Sequence, residues 1–201
     1  MGTEGSDDRL QHVLDFLEFA DRFKFVERRG YLTGAARREN DAEHCWHMAL
    51  VAMVLHGELA DKAAVDLGKA LKLILVHDLV EIEAGDTYAY DDAAIEGQEE
   101  REKRAADHIF GLLPEDLGAE LRALWEEFEA RETPEARFAK ACDNFQGFMQ
   151  NVISGGRAWR ENGVGREDTR RRTDFPRTVD PVFDALLDRL YARTDREGSF
   201  G

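Results

Sequence analysis

Cysteine is nearly absent from this sequence. Two cysteines, Cys45 and Cys142, in 201 residues are too few for a disulfide framework and point to a reducing compartment. Proline is scarce too, with four in the chain, and no Pro/Gly/Ser-rich stretch divides it. No apolar run approaches the ~18 uninterrupted residues of a membrane span. The opening stretch, Met1 to Asp8, is polar and acidic, unlike a signal peptide. These absences give the expectation of a cytoplasmic protein with no membrane partner. Basic residues are in deficit as well: 27 Lys and Arg face 42 Asp and Glu, for a net charge of −15. A nucleic-acid backbone needs a basic face, so nucleic acid is not an expected partner. A small phosphate compound needs only a locally positive site.

What is present is helical patterning and enough apolar residues, 43%, for one sizeable core. Leu10, Val13, Leu14 and Leu17 follow the three-and-four spacing of an amphipathic helix, which Phe16 and Phe19 widen. Asp41 is placed to cap a second helix through Ala49, Leu50, Met53, Val54 and Leu55. A third helix is expected from about Ala63 to Glu83, ending at Gly85-Asp86; its stretch from Leu71 to Val80 is apolar on most sides and reads as central and buried. Further helices are expected over Glu96–Leu113, over Leu117–Ala130, from Pro134 to Val152 and over Pro181–Arg193. No strand-like alternation of any length occurs. The reading is all-α, with a single domain over 1–201, its core at about 10–155. An arginine-rich extension and a last helix occupy 156–195.

The polar residues inside these apolar stretches carry the chemistry. His77-Asp78 ends the most buried helix, where a charged carboxylate is costly unless a cation or hydrogen bonds compensate. Asp143, within Phe138-Ala-Lys-Ala-Cys-Asp-Asn-Phe145, poses the same problem, and His44 opens the second helix. Imidazole with carboxylate suits borderline to hard divalent ions. Three helices would thus bring polar groups to one point. Glu81 stands three residues after Asp78 and four after His77, on the same helix face. It is placed to act as acid or base on a metal-activated water.

The order His44, His77-Asp78, Asp143 resembles the H…HD…D pattern of the HD-domain metal-dependent phosphohydrolases, nearest the branch of the 5′-deoxynucleotidases. The supporting segments are Arg38-Glu-Asn-Asp-Ala-Glu-His44, His77-Asp-Leu-Val-Glu-Ile-Glu-Ala-Gly-Asp86, Leu112-Leu-Pro-Glu115, Leu124-Trp-Glu-Glu-Phe-Glu129 and Lys140-Ala-Cys-Asp143. The resemblance implies an HD-domain helical bundle and one divalent metal ion (Co, Mn, Fe, Mg or Ni) on His44, His77, Asp78 and Asp143. It implies hydrolysis of the 5′-phosphate of a nucleoside monophosphate, and a homodimer. It further implies that Glu81 is catalytic, that Asp86 is catalytic and contacts the sugar, and that Arg29 grips the phosphate. Lys140, one turn before Asp143, is a candidate second cation for the phosphate. In bacterial relatives an aromatic residue follows the phosphate arginine and helps exclude ribose; here Gly30 and then Tyr31 follow.

Other residues are read more plainly. Cys45 and Cys142 are small core residues, His47 a core or neighbouring histidine, and His12, His56 and His108 lie on helix faces. Trp125, Phe128, Phe145, Phe148 and Met149 are core or subunit contacts, and Glu96–Glu102 is a solvated face. Between Asp78 and Asp143 only His108 occurs, so neither a second metal nor the dinuclear site of an iron oxygenase is expected. The segment 155–178, with seven arginines and a local charge of +3, would fold over the site or pack on a partner subunit. The alternative to an enzyme is a non-catalytic HD module that binds a nucleotide and signals.

Overall fold

The computed structural model describes residues 4–34 and 36–200; the first three residues of the acidic opening lie outside them. Helix α1 (Glu4–Ala20) runs through a 3₁₀ turn (Asp21–Phe25) into strand β1 (Glu27–Tyr31), which pairs antiparallel with β2 (Arg38–Asn40). Then follow α2 (Asp41–His56), α3 (Leu67–Val76), α4 (Glu81–Ala84), α5 (Asp92–Ile95), α6 (Gln98–Gly111), α7 (Glu115–Ala130), α8 (Pro134–Ile153), α9 (Arg157–Glu161), α10 (Arg170–Arg177) and α11 (Pro181–Glu197). The helical expectation holds, with a first correction: the short β1–β2 pair has no apolar alternation to betray it. Its register shifts between the Glu27–Asn40 and Tyr31–Arg38 pairs.

The third helix is also corrected. It stops at Val76 instead of running on to Glu83. The His77 ring nitrogen Nδ1 lies 2.7 Å from the Ile74 carbonyl, the acceptor that a continuing α-helix would offer to the Asp78 amide. Beyond it the chain tightens to three-residue spacing, with Leu79 N bonded to Val76 O and Glu81 N to Asp78 O. A third correction concerns α2. Its cap is Asn40, whose side chain accepts from Glu43 N while Glu43 returns a bond to Asn40 N. Asp41, the expected cap, begins the helix and is fully buried.

Two apolar clusters form the interior. The larger joins α2, α3, α8 and α11 around Met48, Leu73, Phe138, Phe148 and Phe183. The smaller joins α1, α6 and α7 to the end of α3 around Phe16, Val76, Ile109 and Trp125. Along α1 it is Val13, Phe16 and Phe19 that meet this core, while Leu10, Leu14 and Leu17 face outward. The C-terminal end of α3 therefore stands between the clusters, against α2 and α8. The polar residues of the site gather there.

Candidate metal centre and active site

His44, one turn into α2, is fully buried and pointed by Gln146 of α8. His44 Nδ1 lies 2.6 Å from Gln146 Oε1, so Nδ1–H donates and the lone pair falls on Nε2. Gln146 is held in turn, its amide donating to Glu39 Oε1 at 3.0 Å. The Ile74 carbonyl fixes His77 in the same way, again leaving Nε2 free. Both Nε2 atoms are buried with no hydrogen-bond partner among the described residues.

What they face is carboxylate. His77 Nε2 is 3.0 Å from Asp78 Oδ2; His44 Nε2 is 3.2 Å from Asp143 Oδ1 and 3.8 Å from Asp78 Oδ2. An imidazole lone pair and a carboxylate at such distances repel unless a cation joins them. A proton answers this at His77: burial opposes its protonation, but Asp78 outweighs burial and holds the pKa well above the ordinary imidazole value. A divalent ion answers it for the whole set. Ligand atoms of His44, His77 and Asp143 lie within 4.8 Å of one another. The four residues expected from sequence thus converge, and as two nitrogens and two carboxylates they fit a borderline to hard divalent ion. Cys45 is buried in the core as expected, yet its Sγ also lies 3.8 Å from His77 Nδ1.

Around this set lies a belt of further charge. Burial raises the Glu81 pKa well above the ordinary carboxyl value, and the charges of Asp78, Asp41 and Asp86 add to the effect. Asp41, beside it, is pushed up to about 6, by burial first. Burial would raise Asp78 and Asp143 too, but their cationic neighbours prevail and both fall below the usual range: His77 and Arg28 for Asp78, Lys140 and Arg172 for Asp143. Lys140 Nζ is 2.7 Å from Asp143 Oδ2, as their shared face suggested.

The arginine at the centre is Arg28, the neighbour of the expected Arg29. Arg28 is buried, and its Nη1 donates to Asp41 Oδ1 at 2.9 Å and Asp78 Oδ2 at 3.1 Å and lies 3.6 Å from Asp86 Oδ1. Arg29 is exposed and reaches the rim of the adjoining cavity, which Asp86, Tyr88, Asn151 and Arg172 also line. Adjacent strand residues face opposite sides, so the side that meets the site depends on how β1 pairs. Gly30 leaves its part of the wall without a side chain. Tyr31 does not take its place: its ring lies between the guanidinium groups of Arg38 and Arg157, and its hydroxyl donates to Glu161.

Sequence reasoning did not place Gln146 or Arg172 beside this set, and it read Asp41 only as a helix cap. A buried glutamine one turn after Asp143 was the available signal for the first. Glu102, expected in a solvated face, is buried with Gln98 donating to it at 2.6 Å.

The family model of the HD domain matches residues 20–179. The human 5′-deoxynucleotidase HDDC2 is 35% identical over 139 residues, a match spanning 69% of this chain and 66% of that protein. The Dictyostelium discoideum 5′-deoxynucleotidase HDDC2 is 31% identical over 147 residues, spanning 70% of this chain and 76% of its own. A crystal structure described as a predicted metal-dependent phosphohydrolase from Magnetospirillum magnetotacticum superposes with a TM-score of 0.88 at 41% identity, covering 96% of each chain. With its helical bundle and its buried His and Asp set in the order the family requires, this chain belongs to the HD domain family.

Proposed function

We propose that the protein is a metal-dependent phosphohydrolase of the 5′-nucleotidase type, acting on nucleoside monophosphates. The observation that carries this reading is the pair of buried, unpartnered Nε2 atoms of His44 and His77 set against Asp78 and Asp143. The relatives named as 5′-deoxynucleotidases support the substrate class.

His44, His77, Asp78 and Asp143 would hold one divalent ion of the Co, Mn, Fe, Mg or Ni group, which would supply Lewis acidity and lower the pKa of water toward about 7. Arg28 and Lys140 offset charge on the phosphoryl oxygens, and Arg29 guards the cavity rim. Asp86, which lines the cavity, meets the sugar. Water attacks phosphorus as the bond from phosphorus to O5′ breaks. Glu81, whose pKa is raised by burial first and then by its acidic neighbours, passes a proton from the attacking water to O5′. The products are the nucleoside and inorganic phosphate. The open wall at Gly30 places no side chain against a ribose 2′-hydroxyl, so both sugars belong in the test.

The test is phosphate release from ribo- and deoxyribonucleoside monophosphates by protein loaded with each metal in turn. Release that disappears in His44→Ala and Glu81→Gln supports the reading. A folded, metal-loaded protein that binds nucleotide without releasing phosphate would favour the signalling module instead.

Two finer statements belong here. The chain acts in the cytoplasm, supported by its two free, buried cysteines. It works as a homodimer, supported by apolar side chains left exposed on α2 (Trp46, Leu50, Met53, Val54) and α1 (Leu10, Leu14, Leu17). Light scattering on the wild type and on Leu50→Glu checks the second statement; a monomeric wild type overturns it.

A further inference from the structure

Three consecutive arginines open α10, and only one of them enters the site. Arg170 pairs with Glu167 and Arg171 with Asp92, both at the surface. Arg172 turns inward, its side chain 18% exposed, and Nη1 lies 3.3 Å from each carboxylate oxygen of Asp143 and 3.1 Å from Asn144 Oδ1. Its position is fixed by the helix that carries it. The hydroxyls of Thr169 and Thr173 each meet the Tyr191 hydroxyl at 2.8 Å, tying this segment to α11, and α10 packs along α8.

The charges around Asp143 leave this arginine with work beyond neutralising it. Asp143 carries one negative charge, and Lys140 Nζ already meets it at 2.7 Å. Arg172 adds a second permanent cation to the same buried carboxylate. An ion on Asp143 would draw on that charge further, so that around this one carboxylate cations outnumber acids, an arrangement that favours a bound anion. A guanidinium has five donors in a planar fork, suited to phosphate. Arg172 also lines the cavity that holds Arg28, Arg29 and Asp86. In the same wall, the buried Tyr88 hydroxyl, a donor, has no hydrogen-bond partner among the described residues.

We propose that Arg172 is a substrate-binding residue whose guanidinium holds the phosphoryl group beside Asp143, so that the arginine-rich C-terminal segment completes the active site. This rests on the phosphohydrolase reading for the identity of the anion.

The experiment compares wild type, Arg172→Ala, Arg172→Gln and Arg172→Lys, with the surface variant Arg170→Ala as control. Metal content and metal affinity are measured first. Binding of inorganic phosphate to each metal-loaded protein is then measured by calorimetry, and KM and kcat for a nucleoside monophosphate alongside. The expected result for the Ala and Gln variants is phosphate binding and KM weakened about ten- to a hundredfold, the range of a hydrogen bond to a charged group. Metal affinity and inhibition by the nucleoside product stay unchanged, Lys recovers part of the loss, and Arg170→Ala matches wild type. If Ala does not fold, Gln, which keeps much of the stem, decides. Unchanged phosphate binding overturns the proposal. So does a loss fully explained by weaker metal binding, which would make Arg172 a positioning residue for Asp143. A wild type that releases no phosphate from any nucleotide sinks the phosphohydrolase reading alone, since the phosphate-binding comparison still judges Arg172.

Discussion

Gln146 decides which nitrogen of His44 is offered to an ion. By accepting from Nδ1 at 2.6 Å it keeps the lone pair on Nε2, and Glu39 keeps the glutamine from turning its amide. Such outer partners typically account for about ten- to a hundredfold in metal affinity or activity. Gln146→Leu is therefore expected to weaken metal binding by about that factor while keeping the helical circular dichroism of the wild type; a metal titration measures it, and unchanged affinity would show that packing alone orients the ring. Glu102 makes a prediction of opposite character. Burial raises its pKa, although Gln98 works against this. The folded state thus holds this proton more tightly than the unfolded chain does. Stability is lost as pH rises from the ordinary carboxyl pKa through the raised one. Glu102→Gln removes the ionisable group, so the variant should melt above the wild type at pH 8 and lose that advantage toward pH 4. Melting curves at the two pH values check it, and an advantage of equal size at both contradicts the assignment to ionisation.

At the scale of elements, the turn between α8 and α9 fixes the arginine-rich segment. Gly156 has φ +69°, and a Cβ there would stand 1.9 Å from the Ser199 carbonyl oxygen. The chain end packs this closely because Phe200 stacks on Trp159 with ring centroids 5.0 Å apart. Gly163 has a similar φ of +64° with nothing within 4 Å of a Cβ. Gly163→Ala should therefore cost only the left-handed backbone term, about 1–2 kcal/mol. Gly156→Ala adds displacement of the chain end, for about 2–4 kcal/mol in total. Denaturant unfolding of the two variants measures the difference, and equal losses would show that the tail moves aside freely. The helices themselves were legible in the sequence, because apolar spacing and the prolines at 134 and 181 act locally. So was the meeting of His44, His77, Asp78 and Asp143, because polar residues inside apolar stretches need a common partner, although the resemblance and not burial picked out the set. The break after Val76 was not, since it comes from a side chain competing for the Ile74 carbonyl, with no glycine or proline to announce it. Nor was it legible that Arg28 and Arg172, and not their neighbours, would lie against the buried acids. Neighbours of identical chemistry are told apart only by strand pairing or helix phase, and both are set by distant contacts.

At the scale of the whole molecule, the site is a junction that the apolar interior leaves electrostatically unfinished. Asp41, Asp78, Glu81, Asp86 and Asp143 converge from α2, the break after α3, the start of α4, the turn after α4, and α8, in a chain already at −15. Arg28, Lys140 and Arg172 offset part of this charge, and the two unpartnered imidazole nitrogens show where the offset stops. An ion bound there ties α2 to α8 through His44 and Asp143, and both to the end of α3 through His77. Because the unfolded chain cannot assemble this set, the ion stabilises the fold by mass action, by about 2.7 kcal/mol when free metal is a hundred times its dissociation constant. For a chain of this size that corresponds to about 5–10 °C in melting temperature. Removing metal with a chelator should lower the wild-type Tm by this amount, and restoring Mn or Co should return it. His44→Ala takes away one anchor of the junction, so its Tm should respond to the same metal far less. Equal responses in the two proteins would mean that the ion binds elsewhere, and the convergence of these helices would then need another cause.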